Sequence, residues 1–333
     1  MKYLLSLCCI WLLISCQDEK DKETFLVGNA FGTEYHIKYF QEENYENQID
    51  SIVNQFNQSL STYLPTSDIS KLNSGDSTRE IDDSFQKVFR ISQRIYNESK
   101  GYFDPTVGVL RNAYGFGEDK PLKVIDSVIL DSLRQMVGFS KIRLTEANLI
   151  RKENKNTYLD FNAIAKGYGI DIIGQFLESK GIENYIIELG GEIRVKGKNI
   201  LKNKAWLVGI EGIQSQLEDR SYTHTLKLKD EALASSGNYR KFRVDSLSGN
   251  KYVHTINPLT GKAEQGDITS ASVIAETCAE ADAYATTIMA MGHEKTQVFL
   301  NRVQNIEVYY TYLDSNNEAQ EFMSVGFKNR IVE

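Results

Sequence analysis

The sequence predicts an α+β protein, a single compact mixed domain with a mainly antiparallel sheet and flanking helices. Strand-like and helix-like segments alternate irregularly, which fits α+β better than a doubly wound parallel sheet. A strongly apolar strand, Tyr185–Leu189, runs into Gly190-Gly191 and out again through Ile193 and Val195, as in an antiparallel hairpin. The 333 residues contain neither an internal repeat nor an obvious domain boundary.

Composition excludes several functional classes. The chain is 41% hydrophobic and 25% charged with only 4 prolines, which is typical of an ordered globular protein. Its net charge of −7 argues against nucleic acid as a partner, because phosphate neutralisation needs a basic face. The supply of aromatic residues, 18 Tyr and 15 Phe, suits a protein that stacks on a flat ring, although most of them must be core.

The first residues resemble an export signal. Lys2 precedes an apolar run, Tyr3–Ile14, that is too short to span a bilayer. The run ends in Leu13-Ile14-Ser15-Cys16, which resembles a bacterial lipobox whose cysteine is lipidated; the alternative is a plain secretory signal with an incidental Cys16. We therefore predict a signal peptide over 1–15, a lipidated tether over 16–23 and a folded domain over 24–333. Cys278 would then be the one cysteine left in the domain, so no internal disulfide is possible.

Local patterns predict the elements of the first half of the chain. Alternation predicts two strands within Thr24–Tyr39, around residues 29–33. Helical spacing predicts a helix through Ile49 and Leu60, a short helix from a Ser67 cap to Leu72, and a helix over Asp83–Glu98. The glycine- and aromatic-rich segments 101–106 and 113–117 are predicted to be turns, with the lining of a flat pocket as the alternative. Further along, we expect the following elements: a helix near Ser127–Val137 and strands at Ile142–Leu144 and Leu149–Arg151.

The second half is predicted to contain strands at Trp206–Ile210, Thr223–Leu228 and Ile268–Ala275. The hydroxyl-rich segment Ala234–Tyr239 is typical of a turn. His254 is expected on a strand just before a Pro-containing turn, where a lone histidine is more often structural than catalytic.

A junction between a strand and a helix, Leu159–Asp171, is the first candidate site. An extended run stops at Asp160, and Asn162 can cap a helix whose first turn holds Ala163 and Lys166. Free N–H groups and the positive end of a helix dipole suit a phosphate, and Lys166 adds a cation. The alternative is an ordinary junction with solvated charges.

The predicted helix Glu280–Met291 offers a second candidate site. Asp282 and Thr286 lie one turn apart on it. A carboxylate and a hydroxyl are plausible oxygen ligands for Mg²⁺, which takes one or two carboxylates together with substrate phosphates. The alternative is a local hydrogen bond between the two side chains.

Taken together, these segments resemble the FAD:protein FMN transferase family, the ApbE-like flavin transferases. The resemblance covers nearly the whole mature chain in the family's order. It rests on the following motifs: Phe-Gly-Thr-Glu-Tyr (31–35), Ser-Thr-Tyr (61–63), Ser-Asp-Ile-Ser-Lys-Leu-Asn (67–73), Phe-Asp-Pro-Thr-Val-Gly (103–108), Tyr-Gly-Phe-Gly (114–117), Leu-Asp-Phe-Asn-Ala-Ile-Ala-Lys-Gly-Tyr (159–168), Glu-Leu-Gly-Gly-Glu-Ile-Arg (188–194), Ser-Ser-Gly-Asn-Tyr (235–239), His-Thr-Ile-Asn-Pro-Leu-Thr-Gly (254–261) and Ala-Asp-Ala-Tyr-Ala-Thr (281–286).

The resemblance implies a T-fold-related architecture and a reaction. The reaction is Mg²⁺-dependent transfer of FMN from FAD onto a Thr or Ser hydroxyl of an exported acceptor protein, with release of AMP. The implied metal ligands are the Ala163 carbonyl and the side chains of Asp282 and Thr286. The implied flavin-site residues are Phe31, Tyr63, Tyr114, Gly115, Phe116, Asp160, Lys166 and Ile256. Two positions depart from the family: Phe31 replaces the usual Met, and Asn257 replaces the common Asp.

The resemblance leaves three activities open. His254 is our candidate for the base that takes the acceptor's proton. Water in place of the acceptor would make the protein an FAD pyrophosphatase that yields FMN and AMP. A flavin-binding lipoprotein without chemistry is the third reading, although intact Asp282 and Thr286 argue against it. In each case the protein is expected to be membrane-anchored through Cys16, facing the periplasm.

Overall fold

The architecture comes from a computed structural model that describes residues 22–118, 120–211, 222–238, 242–244, 249 and 251–332. Its centre is an eight-stranded sheet in which all neighbouring strands are antiparallel. The predicted α+β class with a mainly antiparallel sheet is therefore confirmed. No helix within these residues combines the length and the apolarity needed to cross a bilayer.

The strands follow in chain order: β1 Glu23–Ala30, β2 Thr33–Phe40, β3 Ile142–Leu144, β4 Ile150–Lys152, β5 Tyr185–Leu189, β6 Glu192–Lys196, β7 Trp206–Glu211, β8 Tyr222–Leu228, β9 Ala232–Gly237, β10 Phe242–Val244, β11 Lys251–Val253, β12 Ile268–Ala275, β13 Glu307–Leu313 and β14 Ala319–Met323. The large sheet has the spatial order β1-β2-β5-β6-β9-β12-β13-β14. The other strands form three separate hairpins, β3-β4, β7-β8 and β10-β11.

The helices are α1 Glu46–Leu60, α2 Asp68–Asn73, α3 Asp83–Glu98, α4 Gly108–Tyr114, α5 Ser127–Arg134, α6 Ala165–Ser179, α7 Cys278–Met291, α8 His293–Leu300 and α9 Val325–Lys328. Side-chain caps explain several of their starts. The Ser67 hydroxyl accepts a hydrogen bond from the Ser70 N–H at 3.1 Å, as predicted. Asp82 does the same for α3, accepting from the Phe85 N–H at 2.8 Å.

The sheet has a core on each face. On one face, Ile187 of β5 packs with Ile170 and Ile173 of α6. On the other, Ile193 of β6 packs with Trp206 of β7, so the β7-β8 hairpin covers this side. Because side chains alternate along a strand, the neighbours of Ile193 in β6 face α6 instead. This alternation brings polar side chains of β6 against the helix that opens the candidate site.

Helices α6 and α7 are joined through one buried carboxylate. Asp171 of α6 accepts hydrogen bonds from the N–H groups of Cys278 and Ala279, at 3.0 and 2.9 Å, at the start of α7. It also accepts from Arg194 Nη1 of β6 at 2.5 Å. The two helices are close enough that a Cβ at Gly167 would lie 2.3 Å from the Cys278 carbonyl oxygen. Cys278 is buried and forms no disulfide.

The turn predicted at Ala234–Tyr239 is wrong for the residues that the structure describes. Ala232–Gly237 forms β9, which lies between β6 and β12 in the sheet. Its small Ala, Ser and Gly residues resemble a turn in composition. Helix α7 packs against this strand, and small side chains allow that approach.

Three further predictions need correction. The segment between the two predicted turns is helix α4, and this helix includes Tyr114, which was predicted to lie in the second turn. Gly115 follows the helix with a φ of 81°, the left-handed conformation that glycine adopts readily. Asn162 is not a helix cap, because α6 begins at Ala165 and the Asn162 N–H instead donates to Asp160 Oδ1 at 2.8 Å. His254 lies one residue beyond the end of β11.

Candidate active site

Most of the predicted site residues line a single cleft of about 1610 Å³. It lies where the turn between β1 and β2, the start of α6, the end of β9 and the middle of α7 meet. Ten predicted residues line it: Phe31, Tyr63, Phe116, Asp160, Ala163, Lys166, His254, Ile256, Asp282 and Thr286.

Tyr114 and Gly115 do not line the cleft. Tyr114 is buried, and its ring packs on Tyr252 with centroids 4.9 Å apart. Its carbonyl accepts a hydrogen bond from Arg243 Nη1 at 2.9 Å. Of the predicted aromatic turn, therefore, only Phe116 is placed to contact a ligand.

Phe31 lies in the turn between β1 and β2 with a φ of 51°. Its ring meets the edge of Phe56 at 4.8 Å. It also covers Gly169 of α6, where an added Cβ would lie 2.3 Å from the Phe31 ring. The aromatic side chain at this position is thus held by two helices and remains on the cleft wall.

Asp160 forms a cluster with two side chains of the cleft wall. Its Oδ2 accepts from Arg111 Nη1 at 2.7 Å, and Arg111 Nη2 donates to the Tyr63 hydroxyl at 2.7 Å. Burial, the largest influence, would by itself lower the pKa of Arg111, but the charges of Asp160 and Tyr63 and the hydrogen bonds to both side chains together raise it. Tyr63 is 58% exposed, so its ring is open to a ligand.

Lys166 and Glu192 form an ion pair beside this cluster, in which the Glu192 side chain is buried and the Lys166 side chain is 34% exposed. Lys166 Nζ lies 2.5 Å from Glu192 Oε1, and the other carboxylate oxygen, Oε2, has no hydrogen-bond partner among the described residues. Burial raises the pKa of Glu192 to about 7, the charge of Asp282 adds to this, and Lys166 opposes it. Burial alone would lower the pKa of Lys166, but the charges of Glu192 and Asp282 raise it.

Asp282 and Thr286 both face the cleft from α7. Asp282 Oδ2 accepts from the Gly167 N–H at 3.2 Å, and burial raises the pKa of this carboxyl group while Lys166 opposes the rise. The Thr286 hydroxyl shares a hydrogen bond of 3.4 Å with the Ser236 hydroxyl. Ala163 lies in the turn just before α6, on the same cleft.

These oxygen donors fit a hard cation. The neighbourhood holds two buried carboxylates for one ammonium, and one carboxylate oxygen is unpartnered, so positive charge is in deficit there. No group of three or more His, Cys, Asp or Glu side chains suited to a metal occurs in the described part of the chain. One carboxylate with a hydroxyl and a carbonyl instead suits Mg²⁺, which completes its shell with water and phosphate oxygens.

The segment after β11 contributes His254 and Ile256 to the cleft wall. Ile256 is buried against Leu110 and Tyr114, which fixes the segment on α4. Asn257 shapes the following turn, since its Oδ1 accepts hydrogen bonds from the N–H groups of Leu259 and Thr260 at 3.0 and 3.2 Å.

Comparison with known proteins identifies the family. A model of the ApbE family matches residues 31–310. The chain belongs to the ApbE family.

Relatives of this ApbE-family chain include two curated proteins named FAD:protein FMN transferase. One, from Vibrio cholerae, is 33% identical over 302 residues, covering 88% of each chain. The other, from Haemophilus influenzae, is 33% identical over 311 residues, covering 89% of this chain and 88% of the relative. Among solved structures, the flavin transferase ApbE from Vibrio cholerae matches with a TM-score of 0.81 and 31% identity, covering 93% of this chain and 99% of that one.

Two charged residues of the ApbE-family cleft, Arg111 and Glu192, pair with predicted site residues but were not themselves predicted. Arg111 lies on α4, a helix that the sequence pattern did not reveal, so nothing indicated that it would face Asp160. Glu192 did carry a signal, because it stands in the motif Glu-Leu-Gly-Gly-Glu-Ile-Arg (188–194) on which the family resemblance rests. Its burial could not be read from the sequence.

Proposed function

We propose that this ApbE-family protein is an FAD:protein FMN transferase, which moves FMN from FAD onto a Thr or Ser hydroxyl of an acceptor protein and releases AMP. The observation that carries the proposal is the single cleft that joins aromatic rings to a partly buried cation and a set of oxygen donors. The two curated relatives of this name at 33% identity support it.

We also propose that Mg²⁺ acts in the reaction, held by the Asp282 carboxylate, the Thr286 hydroxyl and the Ala163 carbonyl. When bound, it supplies positive charge to the pyrophosphate oxygens. Lys166 and the N-terminal end of α6 lie on the same cleft, where the ammonium and the positive end of the helix dipole add positive potential for the pyrophosphate.

The reaction needs one bond to form and one to break. The acceptor hydroxyl oxygen forms a bond to the FMN-side phosphorus of FAD, while the bond from that phosphorus to the oxygen shared with AMP breaks. AMP leaves with the bonding electrons, and the hydroxyl proton passes to a base. His254 lies on the cleft and is the proposed base.

Product analysis tests the function directly. Purified protein is incubated with FAD and Mg²⁺, with and without an acceptor protein, and AMP, free FMN and acceptor-bound flavin are measured. A transferase yields AMP and fluorescent acceptor in equal amounts, and only when acceptor is present. Free FMN and AMP without acceptor would identify an FAD pyrophosphatase, and unchanged FAD in both reactions would identify a carrier.

We propose that the protein is a lipoprotein anchored to a membrane through Cys16, facing the periplasm, and that its acceptors are exported proteins. Cys16 lies outside the described residues, so the support is the lipobox-like sequence Leu13-Ile14-Ser15-Cys16. Cys16→Ala is expected to move the protein from the membrane pellet to the supernatant of fractionated cells, because the lipid can no longer be attached. A variant that still pellets with the membranes would overturn the anchor.

Tyr63→Ala is expected to weaken FAD binding by about 1–2 kcal/mol, the scale of an aromatic contact and its burial. The ring is exposed on the cleft and held by the hydrogen bond from Arg111. Calorimetric titration with FAD measures the change, and Tyr63→Phe is the matched control because it keeps the ring and removes only the hydroxyl. An alanine variant that binds FAD as tightly as the parent would remove Tyr63 from the flavin site.

A further inference from the structure

The Lys166 ammonium lies near two buried carboxylates, and one of them has no role in the proposed reaction. Its ion pair is with Glu192, at 2.5 Å. The charge of Asp282 also acts on it, but from beyond ion-pair distance. The site therefore pairs its cation with Glu192 rather than with the proposed metal ligand.

Glu192 is placed specifically for this contact. It begins β6 directly after the Gly190-Gly191 turn, and strand alternation points it at α6. The residue is 3% exposed, and its unpartnered Oε2 shows that no other described side chain competes for its charge. A buried carboxylate that is committed to one ammonium acts mainly on that ammonium.

Asp282 is the natural alternative partner for Lys166. The residue next to Lys166, Gly167, already donates its N–H to Asp282 Oδ2. Lysine has a flexible four-carbon stem, and the Lys166 ammonium, whose side chain is 34% exposed, is disfavoured without an opposite charge beside it. Without the Glu192 charge, Lys166 would be drawn onto Asp282 and would occupy the carboxylate that a divalent cation needs.

We propose that Glu192 is a positioning residue that holds the Lys166 ammonium away from Asp282 and thereby keeps the Asp282 carboxylate available for a divalent cation. This inference rests on the proposed role of Asp282 in metal binding. It assigns Glu192 an indirect role, acting through Lys166 and not as a ligand.

Binding of Mn²⁺, followed by electron paramagnetic resonance at pH 8, tests this without any turnover. Mn²⁺ accepts the same oxygen ligands as Mg²⁺ and gives a signal that is lost on binding. Glu192→Gln keeps the shape and one acceptor oxygen but removes the charge. It is expected to weaken Mn²⁺ binding about 10- to 100-fold, the scale for residues that orient metal ligands.

The double variant Glu192→Gln/Lys166→Met separates positioning from other roles. Removing the competing ammonium is expected to restore most of the lost Mn²⁺ affinity, because Asp282 is free again. A double variant as weak as Glu192→Gln would overturn the proposal, since Glu192 would then act as a ligand or as a structural residue. Parent-like Mn²⁺ affinity in Glu192→Gln would overturn it too.

Asp282→Asn distinguishes failure of this inference from failure of the metal site itself. If Asp282→Asn loses Mn²⁺ and Glu192→Gln does not, only the positioning role is wrong. If Asp282→Asn binds Mn²⁺ as the parent does, the proposed metal site is wrong. Near-ultraviolet circular dichroism of each variant reports whether the core is intact.

Discussion

Replacing Asp171 by alanine is expected to lower the free energy of unfolding by about 3–5 kcal/mol, the usual effect of breaking a buried ion pair by removing one partner. Asp171 accepts hydrogen bonds from two N–H groups at the start of α7 and from Arg194 of β6. Alanine would leave those donors, and the largely buried Arg194 charge, without their shared acceptor.

Urea unfolding of the purified protein, followed by fluorescence, measures this change. Asp171→Asn keeps one acceptor oxygen and is expected to fall between the parent and the alanine variant. Asp131→Ala is the matched control, because Asp131 pairs with Arg134 on the surface, where its side chain is 69% exposed, and such pairs contribute little. If Asp171→Ala lowered the free energy of unfolding as little as Asp131→Ala does, Asp171 would not be the residue that holds α6 and α7 together.

The Asp171 contacts between α6 and α7 also affect the geometry of the site. Lys166 and Gly167 lie at the start of α6, and Asp282 lies in the first turns of α7. The distance between these groups depends on how α6 and α7 pack together. Asp171 of α6 holds that packing through its hydrogen bonds to the start of α7 and its ion pair with Arg194 of β6. A loss of stability in Asp171→Ala is therefore expected to be accompanied by a loss of metal affinity.

Local sequence patterns predicted the elements whose signals are themselves local. The apolar spacing of α1, the Ser67 cap of α2 and the alternation of β1 and β2 are all contained within a few residues, and the structure confirms them. The prediction for strand β9 was wrong because its small Ala and Ser residues are required by the packing of helix α7, which is distant in sequence. Helix α4 was not predicted because it spans less than two full turns, begins with a glycine and is followed by another.

The same distinction applies to the site. Asp160, Lys166 and Asp282 were found through motifs, and the structure places them on one cleft. Arg111 and Glu192 were missed because their importance lies in a partner far along the chain: Asp160 is 49 residues from Arg111, and Glu192 is 26 residues from Lys166. Motifs can identify which residues carry the chemistry, but only the fold shows which residues hold them in place.

Asp282→Asn is expected to reduce FMN transfer about 1000-fold or more, because one metal ligand that clamps the pyrophosphate is worth several kcal/mol of transition-state stabilisation. Asparagine keeps the shape and can still accept the Gly167 N–H, so the fold and most flavin contacts are expected to persist. Transfer to an acceptor protein is followed by in-gel flavin fluorescence at several Mg²⁺ concentrations, and FAD affinity is measured separately by calorimetry.

The control for this variant removes a carboxylate from the same helix. Glu280 lies two residues before Asp282 in α7 and pairs with Arg94. Glu280→Gln is expected to transfer FMN at the parental rate and to remain sensitive to EDTA, since its charge lies outside the cleft lining. If Asp282 only forms a local hydrogen bond, Asp282→Asn will transfer FMN at the parental rate, as Glu280→Gln does, and Asp282 is then not a metal ligand. An Asp282→Asn enzyme that is fully active and resistant to EDTA would rule out the metal-assisted mechanism, whatever family the chain belongs to.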